Sequence, residues 1–274
     1  MADITLTSGM RANLFQLQKT STSMETAQSR LATGLKVQSA LDDPVAFFKA
    51  QEHQQRASDL EGRKDEMSEA VQTIESANNG IEAITDLIDS AKSLAQSAQS
   101  ESNSTDRATL ETQFNSMLSQ INNLSNDSGY KGVNLLNGTS DTLVVTFDAD
   151  GTNKLTLQGF DSEVGTGGLS ITSAATWSTG SVGNSTTVIA QLDSAKNELR
   201  TETQKLSNNL SIITARQDFT DNMINTLEDG AEALTNADMN EESANMLMLQ
   251  TRQSLGTTAL SMASDAAQSV LRLF

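Results

Sequence analysis

The sequence predicts a mainly α protein: a long antiparallel hairpin of helices packed as a coiled coil or bundle, with a small β-hairpin and loop region in the middle of the chain. Three observations predict it. Met67, Ala70, Ile74, Ala77, Ile81, Ile84, Ile88, Ala91, Ala95 and Ala98 follow one another three or four residues apart without a break, the spacing that keeps one apolar stripe on one side of a helix. A second series, Ile189, Leu192, Leu199, Leu206, Leu210, Ile213, Ile224 and Leu227, repeats the pattern far downstream, broken by Lys196, Thr203, Gln217 and Thr220. Pro44 is the single proline in 274 residues, and because proline removes a backbone donor and clashes with the preceding turn, its rarity permits very long helices.

Taken in order, residues 5–33 form a helix whose thin heptad seam is Met10, Leu14, Leu17, Met24 and Leu31, with polar Ser21 and Gln28 at its other positions. Gly34 ends it, and Leu35 to Leu41 connect to the next start. Asp43 caps that helix and Pro44 takes its first position, where a missing N–H costs nothing. If continuous from Pro44 to Ser100, the helix is on the order of 85 Å long. The polar ESNST is a turn capped by Ser104 or Thr105, followed by a helix with the seam Leu110, Phe114, Met117, Ile121 and Leu124. Gly129 to Gly138 leaves the helical pattern. Leu143–Phe147 and Lys154–Leu157 flank Asp148-Ala149-Asp150-Gly151 as a hairpin. From Gly159 to Thr187 the Gly, Ser and Thr content predicts exposed, irregular chain with one or two short strands. The second long helix follows, then a weak hinge at Asp229-Gly230 and Leu234–Asp238, then a last helix carrying Met246, Leu249, Leu260, Ala263, Ala267, Val270 and Phe274. Between Gln253 and Phe274 its only charges are Asp265 and Arg272. A helix so apolar and so charge-poor is a surface for a partner, first of all the N-terminal helix.

Composition narrows the chemistry. With 4% aromatic residues the cores are seams of Ala, Leu, Ile and Met. There is no cysteine, hence no disulfide and no thiolate metal site. A net charge of −17 argues against nucleic acid. The start MADITLTSGM lacks the features of a cleaved secretory signal, and no run is long enough for membrane insertion. No residue is assigned catalysis, metal binding or a cofactor. Asp42-Asp43 has no His or Cys beside it and reads as capping architecture, while His53 lacks the second His of a zinc helix and reads as a solvated helix face. Asp148 to Gly151 lacks the later ligands of a calcium loop. Gly165-Thr166-Gly167-Gly168 lacks the Lys and helix of a phosphate loop, and Trp177 alone decides nothing.

Arg30-Leu31-Ala32-Thr33-Gly34-Leu35-Lys36-Val37-Gln38-Ser39-Ala40-Leu41-Asp42-Asp43 resembles the N-terminal signature of bacterial flagellins, R-L-S-S-G-x-R-I-N-S-A-x-D-D. Asn236 to Met239 and Gln250 to Phe274 resemble the C-terminal counterpart. The resemblance covers roughly 1–138 and 189–274, and the signature positions are Arg30, Leu31, Gly34, Ser39, Ala40, Asp42 and Asp43. It departs from the family at Pro44, Ala266, Ala267 and Ser269.

The resemblance implies a secreted structural subunit of the extracellular flagellar filament, a helical homopolymer for motility, exported unfolded by the flagellar type III apparatus. Terminal helices 1–40 and 236–274 would form the inner filament core, 41–138 and 188–235 a rod-like bundle, and 139–187 a short surface-exposed region. Partners implied are other copies of the chain, the export apparatus, a flagellin chaperone, and the hook-filament junction and cap proteins. The resemblance leaves O-glycans open on the middle segment, where Ser170, Thr172, Ser173, Thr176, Ser178 and Thr179 are among the hydroxyls that could accept them. In Ser90-Ala91-Lys92-Ser93-Leu94-Ala95-Gln96, Ser90 and Ser93 replace the Arg and Glu that the innate immune receptor for flagellin binds, which implies weak or no recognition. The subunit interface is expected at Leu14, Leu17, Met24 and Leu31 and at Met246, Leu249, Leu260, Ala263, Val270 and Phe274. The alternatives are a hook-filament junction protein and a secreted coiled-coil adhesin or effector; a protease is disfavoured because no H-E-x-x-H helix is present.

Overall fold

The computed structural model describes residues 8–165, 167–179 and 182–271. Among these residues five helices and one hairpin run in the order α1 (Ser8–Thr33), α2 (Pro44–Ser100), α3 (Ser104–Asp127), β1 (Thr142–Thr146), β2 (Lys154–Gln158), α4 (Val182–Thr235) and α5 (Met239–Leu271). The chain divides into two compact units, one of residues 1–55 with 226–274 and the other of 56–225.

In the second unit, all ten residues of the Met67–Ala98 stripe are buried and form one core with Phe114, Leu118 and Ile121 of α3 and Val188, Leu192, Ala195, Leu199, Leu206 and Ile213 of α4. Cross-links between α2 and α4 fix an antiparallel register. Gln99 donates to Thr186, Lys92 pairs with Asp193, Lys196 with Asp89, and Gln217 donates to Ser68. The cap of α3 is Asn103, whose side chain accepts from the Thr105 N–H, not Ser104 or Thr105. Asn is as good a cap as Ser, and Glu101 already holds the Ser102 and Asn103 amides in the turn before it. The seam of α3 is also displaced by a residue in places: Leu118 and Ser125 are buried where Met117 and Leu124 are only partly so.

The hairpin is antiparallel, pairing Thr142 with Gln158 and Thr146 with Lys154, and turns Val145 and Leu157 into the core. Asp148 organises its turn by accepting from the Asn153 N–H and side chain and from the Thr152 hydroxyl. Arg216 of α4 lies over Phe147 at 5.2 Å from the ring centre.

The expectation of exposed irregular chain with strands from Gly159 to Thr187 is corrected. Among the described residues this stretch holds no strand, α4 begins at Val182, and Leu169, Ile171, Ala174 and Trp177 are buried in the core. Its backbone is paired at Gly159, Phe160 and Ser162 by the carbonyls of Asp141, Leu135 and Leu136, and beyond them by side chains of the helices. Asn115 exchanges two 2.9 Å bonds with Ala174, Glu111 accepts from the Trp177 N–H, Arg107 donates to the Trp177 carbonyl, and Asn122 accepts from the Val164 N–H. Trp177 packs on Phe114 with ring centres 5.1 Å apart. Asp229-Gly230 is not a hinge either, since α4 runs through it to Thr235.

Candidate functional site

In the first unit, α1 and α5 pack along each other in antiparallel register. Arg30 at the end of α1 donates to Glu242 in the first turn of α5 at 2.9 Å, and at the other end Leu17 lies against Gly256 so closely that a Cβ there would come within 2.7 Å of its Cδ2. Glycine at position 256 lets the helices approach. Gly34 takes φ +74° and donates to the Arg30 carbonyl, closing α1 with the left-handed cap that glycine adopts without steric cost. The two connectors are then laced together: Ala237 N–H donates to Gly34 O, and the Lys36 and Val37 N–H groups both donate to Thr235 O. Asp238 caps α5 by accepting from Asn240 and Glu241.

The side of α1 that pairs is not quite the predicted one. Met10, Thr20 and Ala27 are buried and Leu17, Met24 and Leu31 half-buried, whereas Leu14 is exposed. The seam is completed by Thr20 and Ala27, not by the Leu14 position, because a small side chain and a hydroxyl bonded back to Gln16 O allow close packing. On α5, Met246, Leu249, Leu260 and Ala263 are half-buried. The side chain of Val270, that of Ala267 and all of Phe274 lie outside the described residues, as do residues 5–7 and Thr166.

Sequence reasoning passed over a second set. Met248, Leu255 and Met262, seven residues apart on α5, are exposed on its flank outside the seam that half-buries Met246, Leu249 and Leu260. Phe15 is exposed on α1 and Leu247 on α5. The heptad interval of 248, 255 and 262 was the available signal.

The signature carboxylates are structural. Asp42 accepts from the N–H groups of Gln38 and Ser39 and from the Ser39 hydroxyl, at 3.0 to 3.1 Å. These bonds, the Gln38 amide first, hold its carboxyl below the usual range. Asp43 caps α2 by accepting from the Val45 and Ala46 N–H groups at 3.0 Å. His53 is half-buried beside Gly230 rather than solvated, its ring packed where a Cβ on Gly230 would make ordinary contact with it at 3.7 Å. Among the described residues no group of His, Cys, Asp and Glu is placed to hold a metal ion, and no helix is long and apolar enough to cross a membrane.

Comparison with known proteins gives two family matches, the bacterial flagellin N-terminal helical region over residues 6–141 and the bacterial flagellin C-terminal helical region over residues 182–274. Flagellin FljO of Caulobacter vibrioides is 28% identical over 281 residues, covering 99% of this chain and 98% of that protein. A flagellin of Brucella melitensis is 29% identical over 281 residues, covering 100% and 99%. The crystal structure of Bacillus cereus flagellin superposes with a TM-score of 0.48 at 17% identity, over 57% of this chain and 88% of that one.

Proposed function

Since the chain belongs to the bacterial flagellin family, a family of structural proteins and not of enzymes, we propose that copies of it polymerise into the flagellar filament through the terminal helices. The observation that carries this reading is the exposed heptad stripe Met248, Leu255 and Met262. Pairing with α1 leaves the stripe in water, and an apolar heptad row is the row a further helix packs against. Leu17, Met24, Leu31, Met246, Leu249, Leu260 and Ala263 hold α1 to α5, so a charge at Leu17 or Leu260 acts on the pair, whereas a charge at Leu255 acts on the contact between copies.

The test is elongation of filament fragments by purified chain. Leu255→Glu should keep helix content and melt within about 0.5 kcal/mol of wild type, as exposed substitutions do, and should not elongate; filaments from this variant at the wild-type rate would remove the stripe from the interface.

The finer expectations follow from this reading. Export unfolded by the type III apparatus to the cell exterior, with a chaperone before and the junction and cap proteins after, is the route such a subunit takes. Full-length similarity to filament flagellins favours the filament over the junction. Ser90 and Ser93 turn their hydroxyls back to Asp86 O and Asp89 O, and Lys92 is paired with Asp193, so the stretch offers an immune receptor none of the charged handles it would bind. A reporter cell responding to monomer as to a charged-motif flagellin would overturn that expectation. Ser170, Thr172, Ser173, Thr176 and Thr179 are exposed and Ser178 is half-buried; intact mass decides whether any carries a glycan.

A further inference from the structure

The chain has ten methionines and no cysteine, so thioethers are its only sulfur. Their exposure is uneven. Met67 is fully buried and Met10 nearly so, while Met24, Met117, Met223 and Met246 are half-buried. Among the described residues the exposed ones are Met239, Met248 and Met262, at 45%, 45% and 63%, and all three lie on α5. Met248 and Met262 stand on either side of Leu255 in the heptad stripe. Met239 is about two and a half turns from Met248 and so faces the opposite side of the helix.

Methionine suits a stripe that has to pack against a partner, because its unbranched, polarisable side chain fills irregular gaps. The same exposed sulfur is open to a peroxide. As the O–O bond breaks, one oxygen bonds to the sulfur and the other leaves as water; the sulfur gives up two electrons and the peroxide takes them. The product is a sulfoxide, a polar group where the side chain was apolar.

On a free chain water hydrates that oxygen. Packed against another helix it needs a hydrogen-bond donor instead. Around Met262 the residues one turn away on either side are Thr258, Ala259, Asp265 and Ala266. The Thr258 hydroxyl already donates to Ser254 O, and a carboxylate only accepts. Met248 differs, because Arg252 stands one turn on and carries N–H groups that can serve a sulfoxide there. The more exposed sulfur of the stripe is therefore the one whose own helix offers its oxidised form no partner.

We propose that Met262 is a sulfoxidation site at which a peroxide holds the free chain out of the filament, reversibly. The proposal rests on the filament reading above and adds regulation of the same stripe. Once copies have packed, the stripe is covered, so the modification acts on free chain and not on finished filament.

The test treats full-length chain with dilute hydrogen peroxide, maps sulfoxide by peptide mass and then adds wild-type filament fragments. Met239, Met248 and Met262 should each gain one oxygen well before Met67, with helix content unchanged. Elongation by treated chain should fall by roughly tenfold or more, the scale of burying an unpartnered polar group. Methionine sulfoxide reductase with a dithiol should restore it. Each variant is read against its own untreated rate: Met262→Leu should keep most of it after peroxide, whereas Met239→Leu and Met248→Leu should lose as much as wild type. Equal losses in wild type and Met262→Leu would overturn the site, as would oxidation of Met67 as fast as Met262. Full elongation by wild-type chain carrying sulfoxide at position 262 would overturn the switch and leave the filament reading intact. Failure of untreated wild-type chain to elongate would overturn both.

Discussion

Gly80 sits where α2 meets the turn after α3, and a Cβ there would lie 2.3 Å from Ser128 Oγ and 2.7 Å from Leu136 Cδ1. Helix propensity alone favours alanine over glycine by about 1 kcal/mol, so Gly80→Ala separates propensity from packing. We expect net destabilisation of about 1–3 kcal/mol from overpacking, seen as a lower urea midpoint in the emission of Trp177, the one tryptophan, buried in the same core. Asp42 gives a pH prediction. Its folded pKa is depressed, chiefly by the Gln38 and Ser39 amides, so its contribution is present above the ordinary carboxylate pKa of about 4 and is lost as pH falls through the lower, folded value. Hydrogen exchange at Gln38 and Ser39 should accelerate in that acid range, and in Asp42→Ala it should be fast already at neutral pH.

At the scale of elements, α1 and α5 are each poorly striped, and the Arg30 to Glu242 bond is a specific tie that fixes their register. Glu242 is largely buried while Arg30 is about a third exposed, so the bond contributes on the order of 1–2 kcal/mol. Glu242→Gln and Arg30→Gln should each lower the melting point of the terminal pair, and the double variant should lose less than their sum. Much of this architecture was legible beforehand. The Met67–Ala98 stripe, the Asp43-Pro44 start and the stop at Gly34 each rest on local chemistry that a sequence displays. The Gly159 to Thr187 stretch did not read correctly, because its order comes from Asn115, Glu111 and Asn122 on α3, far away in sequence. The α1 seam misread at Leu14 for a related reason. Whether the stripe bends toward Leu14 or toward Thr20 and Ala27 is settled by the small residues that admit α5, and apolarity alone points the other way.

For the whole molecule, charge is segregated along the chain. Residues 1–33 carry Arg11, Lys19 and Arg30 against Asp3 and Glu25, and residues 239–274 carry Arg252 and Arg272 against Glu241, Glu242 and Asp265. These ends cancel, so the full −17 belongs to residues 34–238. Copies that approach each carry this acidic middle and repel, and salt should therefore help. Raising ionic strength from about 10 to 100 mM shortens the screening length from roughly 30 to 10 Å, and filament elongation should rise several-fold; a rate that fell with salt would mean that attraction between charges, not burial, drives growth. The register of α2 on α4 carries a consequence of another kind. Lys92 and Asp193 stand 101 residues apart, and Ser68 and Gln217 stand 149 apart. A ribosome adding ~10 residues per second needs on the order of ten seconds to deliver the second of each pair after the first. Through that interval the apolar row of α2 has no α4 to close over it, and a nascent chain stays unfinished long enough for another protein to take hold of it before it folds.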